Sequence, residues 1–322
     1  MDTTKVCGAG AVKRFQFRGF RTKRASCDLT PRERCHMPRF SLIVGTLGRT
    51  NEFAVLLQSL AEQQMRDFEL IVVDQNSDDR LTPLLKNWAS QLSGHNGRVD
   101  DGIAVKHLRC MPGLSRARNL GLMHSSGDIL AFPDDDCWYL PDTLQNVDKW
   151  FRQHEGYGIL CIGSRDMSGQ VSGNRWAATE CDLTKVNIFR TSATYGYFVR
   201  RPQGGMPLSF DESLGPGANT KFGAGEDTDF LLNLMHRGVR GRFYSVIHVG
   251  HPSKGYVDMQ RAERYGGGWG RVLAKHSLPL LCFGFTAFDF ARAALRMLLG
   301  DRNRASLLWA HGRGVIGAYF SN

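Results

Sequence analysis

Over residues 40–136 the apolar positions fall into short unbroken runs separated by segments of helical spacing. Phe40-Ser41-Leu42-Ile43-Val44-Gly45-Thr46 and Phe68-Glu69-Leu70-Ile71-Val72-Val73-Asp74 read as buried parallel strands. A strand covered on both faces loses the in–out alternation of a half-exposed one. Between them Phe53, Leu56, Leu57 and Leu60 recur at the spacing of a helix face. Further along, the pattern predicts a helix over Leu81 to Gln91, a third strand over Ile103 to Leu108 and a helix from Gly113 to Leu122. Gly94 to Gly102 is a loop by its Gly, Asn and Asp content. Four apolar residues after Asp128 make a short buried strand, which Pro133 ends. Strands alternating with helices at this spacing predict an α/β fold, with a doubly wound, mostly parallel sheet and helices on both faces.

Beyond Asp136 the periodicity weakens. Trp138 to Phe151 reads as a helix, and residues 156–220, rich in Gly, Ser, Thr and Arg, as a substrate-facing half of short strands and loops. Gly215 to Gly223 is a flexible loop, a candidate lid. Gly225-Glu226-Asp227-Thr228-Asp229 opens a helix that runs to Arg237 and is closed by Gly238. Val246 to Pro252 is a strand carrying His248 and His251. Arg264 to Gly270 is expected to precede a basic turn with Arg271 and Lys275. Leu278 to Gly300 is a C-terminal amphipathic helix with Asp289, Arg292 and Arg296 on one stripe. It either packs on the domain or lies in the plane of a membrane surface.

The stretch with most chemistry is Asp134-Asp135-Asp136, directly after a buried strand. Ligands of open α/β sheets bind outside the carboxyl ends of strands. Carboxylates this close raise each other's pKa unless something separates them, and a hard divalent cation can bridge them to phosphates. The plain alternative is a solvated acidic turn. Arg116 and Arg118 are two positions apart and cannot share a helix face, so at least one is expected to point at the cleft. In the first turn after Gly225, capping explains one or two acids but not three. A histidine near these acids, His248 or His251, is a candidate further ligand.

Charge is uneven along the 322 residues, whose net charge is +10. Residues 1–36 carry nine Lys/Arg against three acids, residues 261–322 also nine against three, and 37–260 carry 23 against 25. A nucleic-acid enzyme tends to be basic around its cleft. Basic ends around a neutral body fit an anionic membrane surface better. The expected organisation is an arm over 1–36, a catalytic domain over 37–260 divided near 137/138, and a basic tail over 261–322. The arm is either disordered or untranslated, with Met37 as an alternative start. The eight scattered cysteines form no C-x-x-C pair, which argues against a zinc site or a disulfide scaffold. No stretch reaches the roughly 18 uncharged apolar residues of a membrane span, and no signal peptide is visible. A cytoplasmic protein, peripheral at the inner face of the plasma membrane, is expected.

Taken in order, strand one with Thr46, the Val73-Asp74 turn, Gly113 to Gly121, the Asp134–Asp136 triplet and Gly225-Glu226-Asp227 resemble a GT-A-fold glycosyltransferase of family 2. The tail from Arg264-Tyr265-Gly266 to Lys275-His276 resembles bacterial members that act on surface polysaccharides. The resemblance implies that Thr46 and Asp74 line a nucleoside pocket bordered by Arg118 and Asn119, with Arg49 as the basic residue after strand one. It implies Asp134 near the ribose beside Asp135, and Asp136, with Asp134 and His251, on Mn²⁺ or Mg²⁺. Asp227, beside Glu226, would be the base that deprotonates the acceptor, its carboxylate kept ionised by the helix N-terminus. The donor would be a UDP-, dTDP- or GDP-sugar, the acceptor a saccharide or lipid-linked hydroxyl, and the outcome inversion. Two departures stand out: Gln75 occupies a position where many relatives have a second Asp, and Leu47-Gly48 replaces a commoner Tyr-Asn pair. A sugar-phosphate nucleotidyltransferase and a non-catalytic membrane-associated assembly protein are the competing classes. Gly45 to Arg49 is a poor phosphate loop for the first, and intact Asp136 and Asp227 speak against the second.

Overall fold

A computed structural model describes residues 38–93, 103–173, 176–253 and 258–321. The expected arm over 1–36 and the loop over 94–102 lie outside the described residues. The first half alternates as the pattern requires: β1 (Phe40–Thr46), α1 (Asn51–Ala61), β2 (Phe68–Asp74), α2 (Leu81–Ser93), β3 (Ala104–Arg109), α3 (Leu114–His124) and β4 (Ile129–Ala131). The second half contains α4 (Thr143–Gln153), β5 (Ile159–Arg165), β6 (Cys181–Asp182), α5 (Ile188–Thr191), β7 (Tyr197–Arg200), α6 (Glu226–His236) and β8 (Gly241–Gly250). Three helices follow, α7 (Met259–Lys275), α8 (Pro279–Leu298) and α9 (Arg302–Tyr319).

The strands form one sheet in the order β3-β2-β1-β4-β7-β5-β8-β6. β3, β2, β1 and β4 are parallel, and their register sets Thr46 beside Asp74 and Asp74 beside Arg109. The carboxyl ends therefore share one edge of the sheet. β7 runs antiparallel to both β4 and β5, and this reversal joins the halves. Leu42 and Val44 pack with Phe53, Leu56 and Leu57 of α1 on one face, while Ile43 packs with Ala117 of α3 on the other. Both faces are covered, which is why β1 and β2 are apolar throughout. Each fully buried Leu, Ile or Phe contributes about 1.5–3 kcal/mol.

Two boundaries differ from the periodicity. The helix expected from Trp138 starts only at Thr143. Trp138 instead exchanges backbone hydrogen bonds with Gly250 (2.9 and 2.7 Å), and Pro141 disfavours helix in the residue before it. The basic turn expected around Arg271 and Lys275 is absent, because α7 runs unbroken through Gly266-Gly267-Gly268 to Lys275. Those glycines are contact surfaces. A Cβ on Gly266 would lie 2.1 Å from the His311 carbonyl oxygen, on Gly270 2.1 Å from that of Val315, and on Gly268 2.1 Å from that of Ala224. Backbone meets backbone across α7 and α9, so only glycine fits.

α8 is inverted relative to an ordinary surface helix. Its inward face carries Cys282, Thr286, Asp289 and Ala293. Its outward face carries Leu280, Phe283, Phe288, Leu295 and Leu298, with Leu280 and Leu298 each 85% exposed. No described helix is long and apolar enough to cross a membrane.

Candidate active site

Past β4, a turn closed by the Cys137 N–H donating to the Asp134 carbonyl (3.1 Å) separates the three acidic side chains. Asp135 is buried and accepts from Arg49 Nη1 at 2.6 Å, and the same nitrogen lies 2.7 Å from Asp136 Oδ2. Burial pushes the Asp135 pKa up, while the Thr46 hydroxyl and Arg49 hold it back. Asp134 and Asp136 converge with His251, which follows β8; donor atoms from all three lie within 4.8 Å of one another. His251 Nδ1 is 2.7 Å from the Pro252 carbonyl, which can only accept, so Nδ1 carries the proton. Nε2 is then the ring nitrogen that faces the acids, 3.6 Å from Asp136 Oδ1. Two carboxylates and an oriented imidazole suit Mn²⁺ better than Mg²⁺, which favours oxygen ligands. The residues present therefore fit a divalent cation. His248 stays apart on β8, its pKa lowered by burial.

Arg118, the buried arginine of α3, joins this cluster to α6. Its Nη2 donates to Asp134 at 3.0 Å and its Nη1 to Glu226 at 3.1 Å. Arg116 points outward, to Glu212 and the Pro112 carbonyl. Of the pair, Arg118 is the one that enters the cleft.

The three acids of the first turn of α6 have separate fates. Glu226 is buried on Arg118, and its pKa is pushed up to about 7 by burial first and Asp227 second, with Arg118 opposing. Asp229 is buried and accepts from Lys275 (2.9 Å) and His276 (2.8 Å) at the end of α7. Asp227 has no cationic partner among the described residues and accepts only from Thr228, at 2.7 Å from its N–H. The helix N-terminus favours an ionised carboxylate at Asp227. Burial instead raises its pKa, and the Thr228 N–H and Arg118 offset this only in part. A raised pKa makes a stronger base.

At the carboxyl end of β2, Asp74 is fully buried. Its Oδ1 accepts from the backbone and side-chain nitrogens of Asn76 (both 2.8 Å), and its Oδ2 lies 3.0 Å from His107 Nε2. Gln75 accepts from the Gly113 N–H at 2.7 Å, tying the β2 turn to the start of α3. The missing second Asp is thus replaced by a structural clasp. Thr46 sits level with Asp74, its Oγ1 buried without a well-formed hydrogen bond. Asn119 stands apart: it grips the Phe210 backbone through both amide atoms (3.0 and 2.7 Å). The loop read as a candidate lid is fastened to α3, with the Leu114 N–H donating to Pro216 (3.0 Å) and Ser115 to Leu214 (2.8 Å). Sequence reasoning missed His107, Tyr195, Lys275 and His276 as neighbours of these acids. For His107 a signal existed, because parallel pairing sets the end of β3 beside Asp74 at the end of β2.

A parallel half that joins a mixed half through an antiparallel strand is the GT-A arrangement, and the solved structures it resembles share that fold. A mannosyltransferase from Pyrobaculum calidifontis, solved with GDP-Man and Mn²⁺, superposes with a TM-score of 0.58 at 18% identity, over 87% of this chain and 88% of that one. Residues 1–349 of Staphylococcus aureus TarS give 0.55 at 18%, over 87% and 89%. The family model described as Glycosyl transferase family 2 matches residues 41–210, just over half of the chain, and the chain belongs to that family. An uncharacterized glycosyltransferase of Haemophilus influenzae is 25% identical over 201 residues, 61% of each protein. The poly(ribitol-phosphate) β-N-acetylglucosaminyltransferase TarS is 25% identical over 50% of this chain and 28% of its own length. A PGL/p-HBAD biosynthesis glycosyltransferase of Mycobacterium bovis is 28% identical over 51% and 60%. The chain thus spans less than two thirds of each of these relatives.

Proposed function

We propose that this family 2 glycosyltransferase transfers a sugar, with inversion, from a nucleoside diphosphate donor to a hydroxyl of a saccharide or lipid-linked acceptor in cell-surface polysaccharide synthesis. The observation that carries the reading is the division of labour around Arg118: it pairs with Asp134 and Glu226, leaving Asp227 as the carboxylate of that turn without a cationic partner among the described residues. Thr46, Asp74 and His107 would hold the nucleoside end, with Arg118 closing the floor and Asn119 fixing the adjoining backbone. Arg49 and Asp135 fix the turn that aims Asp134 and Asp136. These two acids and His251 would hold Mn²⁺ or Mg²⁺, which when bound offsets the charge of a departing nucleoside diphosphate. Asp227 accepts the acceptor's hydroxyl proton at a carboxylate oxygen as the oxygen attacks the anomeric carbon. Glu226, largely occupied by Arg118, positions α6 rather than taking that proton. The outward apolar face of α8 supports a peripheral position at an anionic membrane.

The test incubates the full chain with UDP-, dTDP- and GDP-sugars and Mn²⁺ and measures released nucleoside diphosphate. Turnover of one donor class, abolished by EDTA and by Asp136→Ala, is expected. Undiminished turnover in EDTA would remove the cation from the reading, and no turnover of any donor would remove the reading itself.

A further inference from the structure

Beside the acid cluster lies an open cavity of about 520 Å³, lined by Val171, Ser172 and Gly173 after β5, by α5 and by the three C-terminal helices. This size lies within the range of pockets that take small ligands. Its position relative to the cluster is fixed by one thin wall. Gly173 lines the cavity and rests on Tyr195, whose hydroxyl oxygen would lie 1.9 Å from an added Cβ. The Tyr195 ring stacks on His251 at 4.2 Å, and His251 stands beside Asp136. Ser253, two residues past His251, lines the cavity as well.

The lining chemistry is specific. Phe189, Trp269 and Phe285 form a triangle with ring centroids 5.0–5.5 Å apart. The His311 Nδ1 atom of α9 and Asp289 Oδ2 of α8, 2.6 Å apart, place a hydrogen-bonding pair on the inward side of α8. Arg190 and Arg292 complete the wall, and among the described residues neither is paired with a carboxylate. Arg292 instead lies over the Phe288 ring at 5.3 Å. An aromatic wall offers a stacking surface to the C–H face of a sugar ring, and a polar pair can engage its hydroxyls. Two uncompensated guanidinium groups attract an anion, and arginine matches a phosphoryl group bidentately.

We infer that this cavity is an acceptor subsite for a hexose bearing a phosphoryl group, a role that rests on the glycosyl-transfer reading. Two sources share that chemistry: a soluble or polymeric sugar phosphate, and a sugar linked through phosphate to a lipid. Phe288 belongs both to the cavity and to the outward face of α8, so a lipid chain has an apolar path away from the head group.

Calorimetric titration of the full chain tests this with glucose 1-phosphate, glucose, inorganic phosphate and the decyl phosphodiester of glucose. A generic hexose suffices because the arginines read the phosphoryl group. Glucose 1-phosphate should bind at least tenfold more tightly than glucose or phosphate, and saturating UDP with Mn²⁺ should not displace it. The Arg190→Gln/Arg292→Gln double variant should weaken that binding at least tenfold with an unchanged melting temperature, both side chains being outside the packed core. A further tenfold gain for the decyl diester assigns the lipid-linked source, and equal binding assigns the soluble or polymeric one. Displacement by UDP, indifference to the arginine variant, or no binding of either phosphosugar overturns the subsite. Those results with donor turnover intact sink the subsite alone. Intact binding without turnover of any nucleotide sugar sinks the transfer reading alone.

Discussion

Arg118 shows how one residue organises the candidate site. It is 2% exposed and bridges Asp134 and Glu226, so removing it would leave two carboxylates in a cleft with nothing to offset them. The same pairing decides between the adjacent acids. Asp227→Asn keeps the shape but removes the proton acceptor, and should lower kcat by roughly 10²–10⁴ with little change in donor affinity. Glu226→Gln should cost less and act through acceptor KM; if it is the dead variant and Asp227→Asn stays active, the roles are exchanged. Glu226 also carries a pH signature. Its folded pKa of about 7 lies above the ordinary 4.5, so the stability it contributes is full below about 4.5 and is lost as pH rises through about 7. The wild-type melting temperature should therefore fall by a few degrees more than that of Glu226→Gln between pH 5 and 8. Parallel melting curves for the two proteins would show that Glu226 is not the group responsible.

At the scale of elements, β1 and β2 were legible to the residue, because strands buried on both faces leave unbroken apolar runs between polar turns. The acid cluster was legible for the same reason: a strand's carboxyl end is fixed once its apolar run is seen. What the periodicity hid depended on partners distant in sequence. Asp229 finds Lys275 and His276 only because α7 packs on α6. The glycines of α7 misled for a related reason. Glycine weakens an isolated helix by up to about 1 kcal/mol, but here it permits contact that any side chain would block. The two effects predict opposite signs at two sites. Gly270→Ala gains helix propensity yet drives a methyl into the Val315 carbonyl, so a net loss of about 1–3 kcal/mol is expected. Gly284→Ala, on the open side of α8 with no atom within 4 Å, should gain up to about 1 kcal/mol. Urea unfolding of both variants checks this, and stabilisation by Gly270→Ala would mean that α7 and α9 do not pack this closely.

For the whole molecule, the question is what the outward face of α8 meets. Leu280, Phe283, Phe288, Leu295 and Leu298 lie along one side of the helix, and Phe320 of the C-terminal end joins them through Phe283, with ring centroids 6.2 Å apart. Leu299 continues the patch into the turn before α9. Arg292 lies over Phe288 at its border, and the segment 261–322 carries nine cations against three acids. Two such faces brought together would repel, whereas an anionic bilayer takes both the apolar side chains and the cations. Each Arg near such a surface adds about 1 kcal/mol, decreasing with salt, and each Leu inserted adds about 1.5–3 kcal/mol. Flotation with vesicles containing an anionic phospholipid should therefore recover the protein, with recovery falling as salt is raised. Leu280→Gln/Leu298→Gln should weaken partitioning by roughly 10²- to 10⁴-fold without changing release of nucleoside diphosphate from a soluble donor. Equal recovery on neutral vesicles would remove the electrostatic part. A concentration-dependent dimer that these two substitutions dissolve, with no vesicle binding, would assign the face to a second copy of the chain instead.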